Sequence, residues 1–417
     1  MKFLKSEFDK NVVKVFSGTL LAQLIGICIY PILTRLYTPE DFSNLALYLS
    51  TVTVVSSISS LKYEKAILIP ENDNDALGIV KLSILINLFF SLLSFLLYFS
   101  FGKNISNYFN LSKIDSWLIF VPVTITFRGF YNIINIWFNR KSEYAILSKN
   151  RIFTSGSNGG LKVILQWLFK LKAFGLILSE ALSQFLALIF FGKKIFLTLK
   201  KSLNEKNKYT IKQYAYKYKD YPLFSMPADF LNVFARELPV FMLTTYFGAG
   251  IVGFYMLTKK MLDVPFTLLS TSILEVFRRE AITQYYEKGN CREVFVTTLK
   301  KLLLISIVPF LILYFIAPWT FRIVFGEEWI KAGYFAQILV VLYFFKFISS
   351  PLTYVFFVVN KLRLNTLLQV LFFIITFCSF YFGNYLFGEI EQVLLFYAIS
   401  MSFIYLLYLG IAYKLSC

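Results

Sequence analysis

The sequence has no histidine and only four cysteines, Cys28, Cys291, Cys378 and Cys417, each far from the others. Singly placed cysteines without histidine provide no metal-ligand spacing, and they argue against a disulfide scaffold and histidine-based catalysis. Carboxylates are scarce as well, 24 against 42 lysines and arginines. They lie mostly singly within apolar stretches, where an enzyme would need positioned acid and base groups. No glycine-rich nucleotide-binding loop is present, which argues against direct ATP hydrolysis.

Apolar length is what the chain has in abundance. Of its 417 residues 57% are hydrophobic and 19% aromatic, with a mean hydropathy of +0.64. That leaves too little polar surface to coat a soluble domain of this size. A membrane-crossing helix needs roughly 20 mostly apolar residues, and about twelve such stretches can be read. They are expected over 13–36, 42–66, 78–101, 116–138, 146–168, 173–195, 222–246, 249–275, 301–322, 332–358, 363–387 and 392–413. The first runs past Thr34 without an A-x-A-like cleavage site and reads as a retained span.

The net charge of +18 does not point to nucleic acid, because the basic residues sit in loops beside apolar spans, where the positive-inside rule puts them. A cytoplasmic N-terminus places Lys2, Lys5, Lys10 and Lys14 inside, then Arg140, Lys141 and Lys149, then the run from Lys193 to Lys219. Arg278, Arg279, Lys288, Arg292, Lys361 and Arg363 follow on the same side. The opposite loops hold only Lys103, Lys113, Lys170, Lys172, Arg322 and Lys331. An even number of spans returns the C-terminus, with Lys414, to the cytoplasm.

The long basic segment at mid-chain is expected to be a cytoplasmic linker, 196–221, between six-helix bundles at 1–195 and 222–417. A weak internal repeat agrees: "YPILTRLYTPEDF" after the first apolar run is similar to "LPVFMLTTYFGAGIV" after the seventh. Pro31 and Pro239 occupy matching places six spans apart, so the two halves share one orientation. Pro222, Pro227 and Pro265 add further sites where a missing backbone donor permits a bend.

Polar residues three and four apart share a helix face and mark a surface that lipid does not cover. Span seven shows Ser225, Asp229, Asn232 and Arg236; span four shows Thr124, Arg128, Tyr131, Asn132, Asn135 and Asn139. Span one carries Thr19, Gln23, Tyr30 and Thr34 with Arg35 at its outer end, and span eight carries Tyr255, Lys259, Asp263 and Ser270. Lys62, Glu64 and Lys65 are assigned to span two, and Lys346 with Ser349 and Ser350 to span ten. These six spans form three repeat-related pairs, as a shared polar lumen requires. Two plainer readings stand beside it: Lys62, Lys65 and Lys259 reach the interface with Asp263 neutralising Lys259, or Arg128, Asp229 and Arg236 form interhelical salt bridges. Lys162 and Glu180, in spans five and six, are expected to pair within the first half.

Three segments, "LTRLYTPEDF" (33–42), "KYEKAILIPENDNDA" (62–76) and "YKDYPLFSMPADFLN" (218–232), resemble the Wzx-type polysaccharide repeat-unit flippases. "LPVFMLTTYFGAGIVGFYMLTKKMLDVP" (238–265) and "FGEEWIKAGYFAQIL" (325–339) extend the resemblance to the tenth span. That family sits with the multidrug and toxic compound extrusion (MATE) proteins in the MOP superfamily. The resemblance implies an all-α integral membrane fold of about 12 transmembrane helices, in two six-helix bundles related by a parallel pseudo-repeat around a central cationic cavity. It implies a non-enzymatic transporter in the bacterial cytoplasmic (inner) membrane that moves undecaprenyl-pyrophosphate-linked oligosaccharide by alternating access, for O-antigen, capsule or a similar polymer.

Such cargo needs cations for the pyrophosphate and amides and hydroxyls for the glycan. The candidate lining residues are Arg35, Lys62, Glu64, Arg128, Asn132, Asn135, Asp229, Asn232, Arg236, Lys259, Asp263 and Lys346. No cofactor is expected; coupling to a proton or sodium gradient or to the membrane potential falls to Glu64, Asp229 and Glu237. Membrane lipids are expected partners, with a polysaccharide polymerase and a chain-length regulator implied by the resemblance. Two alternatives remain: a cation-coupled multidrug antiporter of the same fold, which needs an acidic cavity, and an integral membrane polymerase, which needs a sizeable outside loop.

Overall fold

The computed structural model describes residues 7–108, 117–202 and 209–417; Lys2, Lys5, Lys113 and residues 203–208 of the expected linker lie outside them. Among the described residues there is no strand. The first set of helices comprises α1 (Glu7–Cys28), α2 (Tyr30–Leu36), α3 (Pro39–Ile58), α4 (Asp73–Tyr108), α5 (Phe120–Arg140), α6 (Tyr144–Phe169), α7 (Lys172–Ser202) and the short α8 (Ile211–Lys217). The second comprises α9 (Met226–Phe247), α10 (Ala249–Lys288), α11 (Arg292–Phe325), α12 (Ile330–Leu352), the single turn α13 (Val355–Val358), α14 (Leu362–Phe387) and α15 (Ile390–Ser416). The chain is an all-α, multi-pass membrane protein.

Segments carried by α1–α2, α4, α7, α11, α12, α14 and α15 are long and apolar enough to cross a membrane by length and composition alone. The remaining long helices, α3, α5, α6, α9 and α10, do not meet that measure. Polar residues interrupt them, and in hydrocarbon such residues must face protein or water. Three of these five, α5, α9 and α10, are helices on which the sequence showed stripes, and the polar residues assigned to the span of α3 lie beyond its end. The fifth, α6, buries Asn150 and Lys162, a polar content that the sequence reading underrated.

The chain forms two compact units, Met1–Val233 and Phe234–Cys417, with the sequence boundary falling inside α9. In the first, α4 packs on α5, α3 on α5, α5 on α7, and α6 on α7. In the second, α11 packs on α12, α10 on α12, α12 on α15, and α14 on α15. Counting six long helices to a set, these four pairs join the same members, third to fourth, second to fourth, fourth to sixth and fifth to sixth, in each unit. The faint sequence repeat is thus a repeat of packing.

Local chemistry explains the bends. The first span breaks at Ile29, with Pro31 in the first turn of α2. Pro is tolerated there because its missing N–H has no partner in a first turn. The "YTPEDF" motif starts α3: the Thr38 hydroxyl accepts from the Asp41 backbone amide, and the Asp41 carboxylate accepts from the Thr38 amide, a reciprocal cap. Asp41 also accepts from the Ala173 amide at 3.0 Å, and the Tyr37 hydroxyl donates to the Lys162 carbonyl at 2.6 Å. The motif therefore ties the α2–α3 junction to α6 and α7.

The second span differs from its expected course over 42–66. Helix α3 stops at Ile58, Leu61 and Lys62 turn left-handed (φ 50° and 62°), and Tyr63–Leu68 form a 3₁₀ turn. Lys62, Glu64 and Lys65 thus lie on a turn beyond a helix end. Two consecutive non-glycine residues at positive φ cost about 1–3 kcal/mol each and persist only where packing over-determines them.

Candidate functional site

Packing around that turn is dense. Tyr63, Ala66 and Ile67 are buried with Ala76, Leu77 and Val80 of α4, Trp137 and Phe138 of α5, and Tyr214 and Tyr218 at α8. Arg140 closes the turn from α5: its guanidinium donates to the Ile67 carbonyl at 3.1 Å, the Glu71 carbonyl at 3.2 Å and the Asp73 carboxylate at 3.1 Å. Lys141 reaches the same carboxylate. From α8 the Tyr214 hydroxyl donates to Asp75 at 2.6 Å, while the Tyr63 hydroxyl donates back to the Ala215 carbonyl at 2.9 Å. Burial and the neighbouring Asp75 push the Tyr214 phenol above its ordinary range.

This scaffold presents two lysines to one carboxylate. Lys65 Nζ lies 2.5 Å and Lys62 Nζ 3.5 Å from Asp229 Oδ2, on the first turn of α9. A π-helical turn, Tyr221–Ser225, leads into α9 beside the 3₁₀ turn. Such turns appear often at functional sites because they re-aim a helix face. Glu64 is buried instead, 8% exposed, with Oε2 lacking any hydrogen-bond partner among the described residues. An orphaned buried carboxyl oxygen is costly and calls for a functional account.

The remaining candidates of the first unit join helices. Arg128 Nη1 donates to Thr53 Oγ1 at 3.0 Å, bridging α5 and α3; Asn135 accepts from Asn150 at 3.0 Å, bridging α5 and α6. Lys162 and Glu180 pair at 2.7 Å with both side chains largely buried. Asn132 is exposed and Asn232 half-buried.

In the second unit, Lys259 Nζ donates to the Arg236 carbonyl at 3.2 Å and lies 3.5 Å from Glu237 Oε2. Asp263 therefore does not neutralise Lys259 one turn away. It accepts from Lys346 at 3.0 Å and from the Tyr343 hydroxyl at 2.9 Å, joining α10 to α12. The Lys346 ammonium also sits 4.6 Å from the ring centres of Phe266 and Tyr343, an aromatic cage that strengthens a partly desolvated cation contact. Arg35 and Arg236 are exposed and make no ion pair among the described residues.

Sequence reasoning thus found both members of the Lys62–Asp229, Lys259–Glu237 and Asp263–Lys346 pairs and expected the Lys162–Glu180 pair, but it set Asp263 against Lys259. Lys65, Tyr343, Thr53 and Asn150 were outside the candidate set. Tyr343 stands one turn before Lys346, a spacing that could have drawn notice; Thr53 and Asn150 carry no such signal.

Several solved structures share the fold. An inward-facing MATE-family multidrug resistance transporter of the MOP superfamily superposes with a TM-score of 0.71 at 14% identity, covering 95% of this chain and 93% of that one. The lipid II flippase MurJ in an inward closed conformation gives 0.70 at 15% identity, covering 96% and 87%. A MOP superfamily transporter from Pyrococcus furiosus, described as having a binding pocket of reversed polarity, gives 0.60 at 13% identity, covering 98% and 96%. No curated protein matches by sequence. These likenesses establish the MOP-type fold, and residues 32–334 match the polysaccharide biosynthesis protein family, to which this chain belongs.

Proposed function

We propose that the chain is a flippase that carries undecaprenyl-pyrophosphate-linked oligosaccharide repeat units from the cytoplasmic to the periplasmic leaflet of the bacterial inner membrane. The reading rests on one observation above others: in a polysaccharide biosynthesis protein of MOP-type fold, the polar helices carry a surplus of cations. Lys62 and Lys65 share one carboxylate, and Arg236 makes no ion pair among the described residues. A diphosphate headgroup complements that surplus, and the neighbouring asparagines and tyrosines suit sugar hydroxyls.

The basic loops favour cytoplasmic termini, with 196–221 as linker between bundles at 1–195 and 222–417. Alternating access is the transport mode in this reading. Coupling falls to a carboxylate, with Glu64 ahead of Asp229 and Glu237 because only Glu64 is both buried and half-unpartnered among the three. In vesicles, Glu64→Gln should remove dependence of transport on an imposed proton gradient while leaving insertion intact; retained dependence sinks the assignment. A proton moved across 100 mV supplies ~2.3 kcal/mol.

A multidrug antiporter is the second reading, favoured by the MATE-family structure among the neighbours. Cationic drugs need an uncompensated acidic pocket, and Asp229, Asp263 and Glu237 are each paired with lysine. Gene deletion in the native host separates the two readings. Loss of surface polysaccharide with accumulation of sugar-loaded carrier lipid supports the flippase; intact polysaccharide with altered drug sensitivity supports the antiporter.

A further inference from the structure

The two-lysine cluster holds its carboxylate in an unusual way. Lys62 and Lys65 project from a turn locked by Arg140, by the Tyr63–Ala215 bond and by a buried aromatic core, so the ammonium groups are preorganised. Asp229 arrives from a separate element, is 37% exposed at the side chain, and through one oxygen, Oδ2, accepts from Lys65 and forms an ion pair with Lys62. One carboxylate bears one negative charge against two positive ones. An ion pair this exposed is weak, so an anion of higher charge competes effectively with it.

We propose that Asp229 is the resident counter-ion of a diphosphate seat, displaced from Lys62 and Lys65 when the headgroup enters. The proposal rests on the flippase reading and specifies its headgroup subsite. In this arrangement Asp229 halves the charge of the empty seat, which limits capture of stray phosphate. A diphosphate offers oxygens to both lysines at once, and Asp229 then swings to solvent on the first turn of α9. No covalent bond changes; only ion-pair partners do. The same exchange returns Asp229 to the lysines on release, which keeps the diphosphate from binding too tightly to leave.

The test uses the full chain in lipid nanodiscs, titrated with geranylgeranyl diphosphate, geranylgeranyl monophosphate and inorganic pyrophosphate. Wild type should bind the lipid diphosphate more tightly than the monophosphate. Asp229→Asn should tighten diphosphate binding by about two- to fivefold, a gain that misfolding cannot produce. Lys62→Gln with Lys65→Gln should weaken it about tenfold or more, and arginine at both positions should restore it. Inorganic pyrophosphate following the same variant order assigns recognition to the headgroup alone; binding confined to the lipid form adds the tail.

Unchanged or weaker binding in Asp229→Asn, wild-type binding in the double lysine variant, or a monophosphate bound as tightly as the diphosphate overturns the proposal. Gene deletion reads the flippase function separately. Lost polymer with a variant-insensitive seat removes the seat alone, and unchanged polymer removes the underlying reading.

Discussion

Asp263 and Lys346, 83 residues apart, meet at 3.0 Å across α10 and α12, and the lysine is held between the rings of Phe266 and Tyr343. Both side chains retain roughly a third of their exposure. Removing one partner leaves an ion beside apolar rings, whereas removing both leaves a packing change only. Asp263→Asn and Lys346→Met should each lower thermal stability in detergent. The double variant should be less damaged than the sum, with a coupling of about 1–3 kcal/mol. Additive losses would show that the pair contributes no interaction energy.

Arg128→Ala and Arg236→Ala should reduce transport about tenfold or more while membrane abundance stays near wild type, since Arg128 donates to the neutral Thr53 hydroxyl and Arg236 makes no ion pair among the described residues. Lys193→Ala, at an exposed site near the end of α7, should change neither quantity. Lipid-linked intermediates counted in a complemented deletion strain provide the readout. Wild-type flux in both arginine variants removes them from the pathway.

Gly333→Ala should destabilise the second unit. A Cβ at that position would lie 2.5 Å from the Pro318 Cα and 3.0 Å from the Ala317 carbonyl oxygen, so α11 itself must move. Overpacking against backbone costs about 1–3 kcal/mol. Gly250→Ala, where no atom lies within 4 Å of the added carbon, is the matched control. Equal melting temperatures for the two variants would refute the packing account.

Tyr214→Phe removes the hydroxyl that donates to Asp75 and should cost about 1 kcal/mol, with loosening of the 3₁₀ turn visible as faster amide exchange over 63–68. Unchanged exchange there would show that α8 does not brace the turn.

The helical stripes on α5, α9 and α10 were legible because side-chain period is a local property of the chain. The parallel repeat could be read faintly from two proline positions, and helix neighbours then displayed it far more clearly than residue identity. The second span was misread at its end. A polar stretch, Ser56–Lys65, does mark the point where α3 stops, but the apolar residues resume at Ala66–Ile69 and draw the span onward; left-handed Leu61 and Lys62 make the turn without the glycine that usually signals one. Partners were the least legible, since Lys65 and Asp229 stand 164 residues apart and no local pattern links positions so distant.

The sequence by itself determined membrane residence, twelve long helices, a cationic balance and a two-fold internal repeat. Each of these sums short-range terms, apolar transfer per residue and charge per loop, that need no knowledge of contacts. Only the tertiary structure decided that Asp263 meets Lys346 and Glu237 meets Lys259, that α6 buries Asn150, and that Lys62 and Lys65 share Asp229. Ion-pair energy varies with distance and local dielectric, and both quantities exist only once the helices are packed.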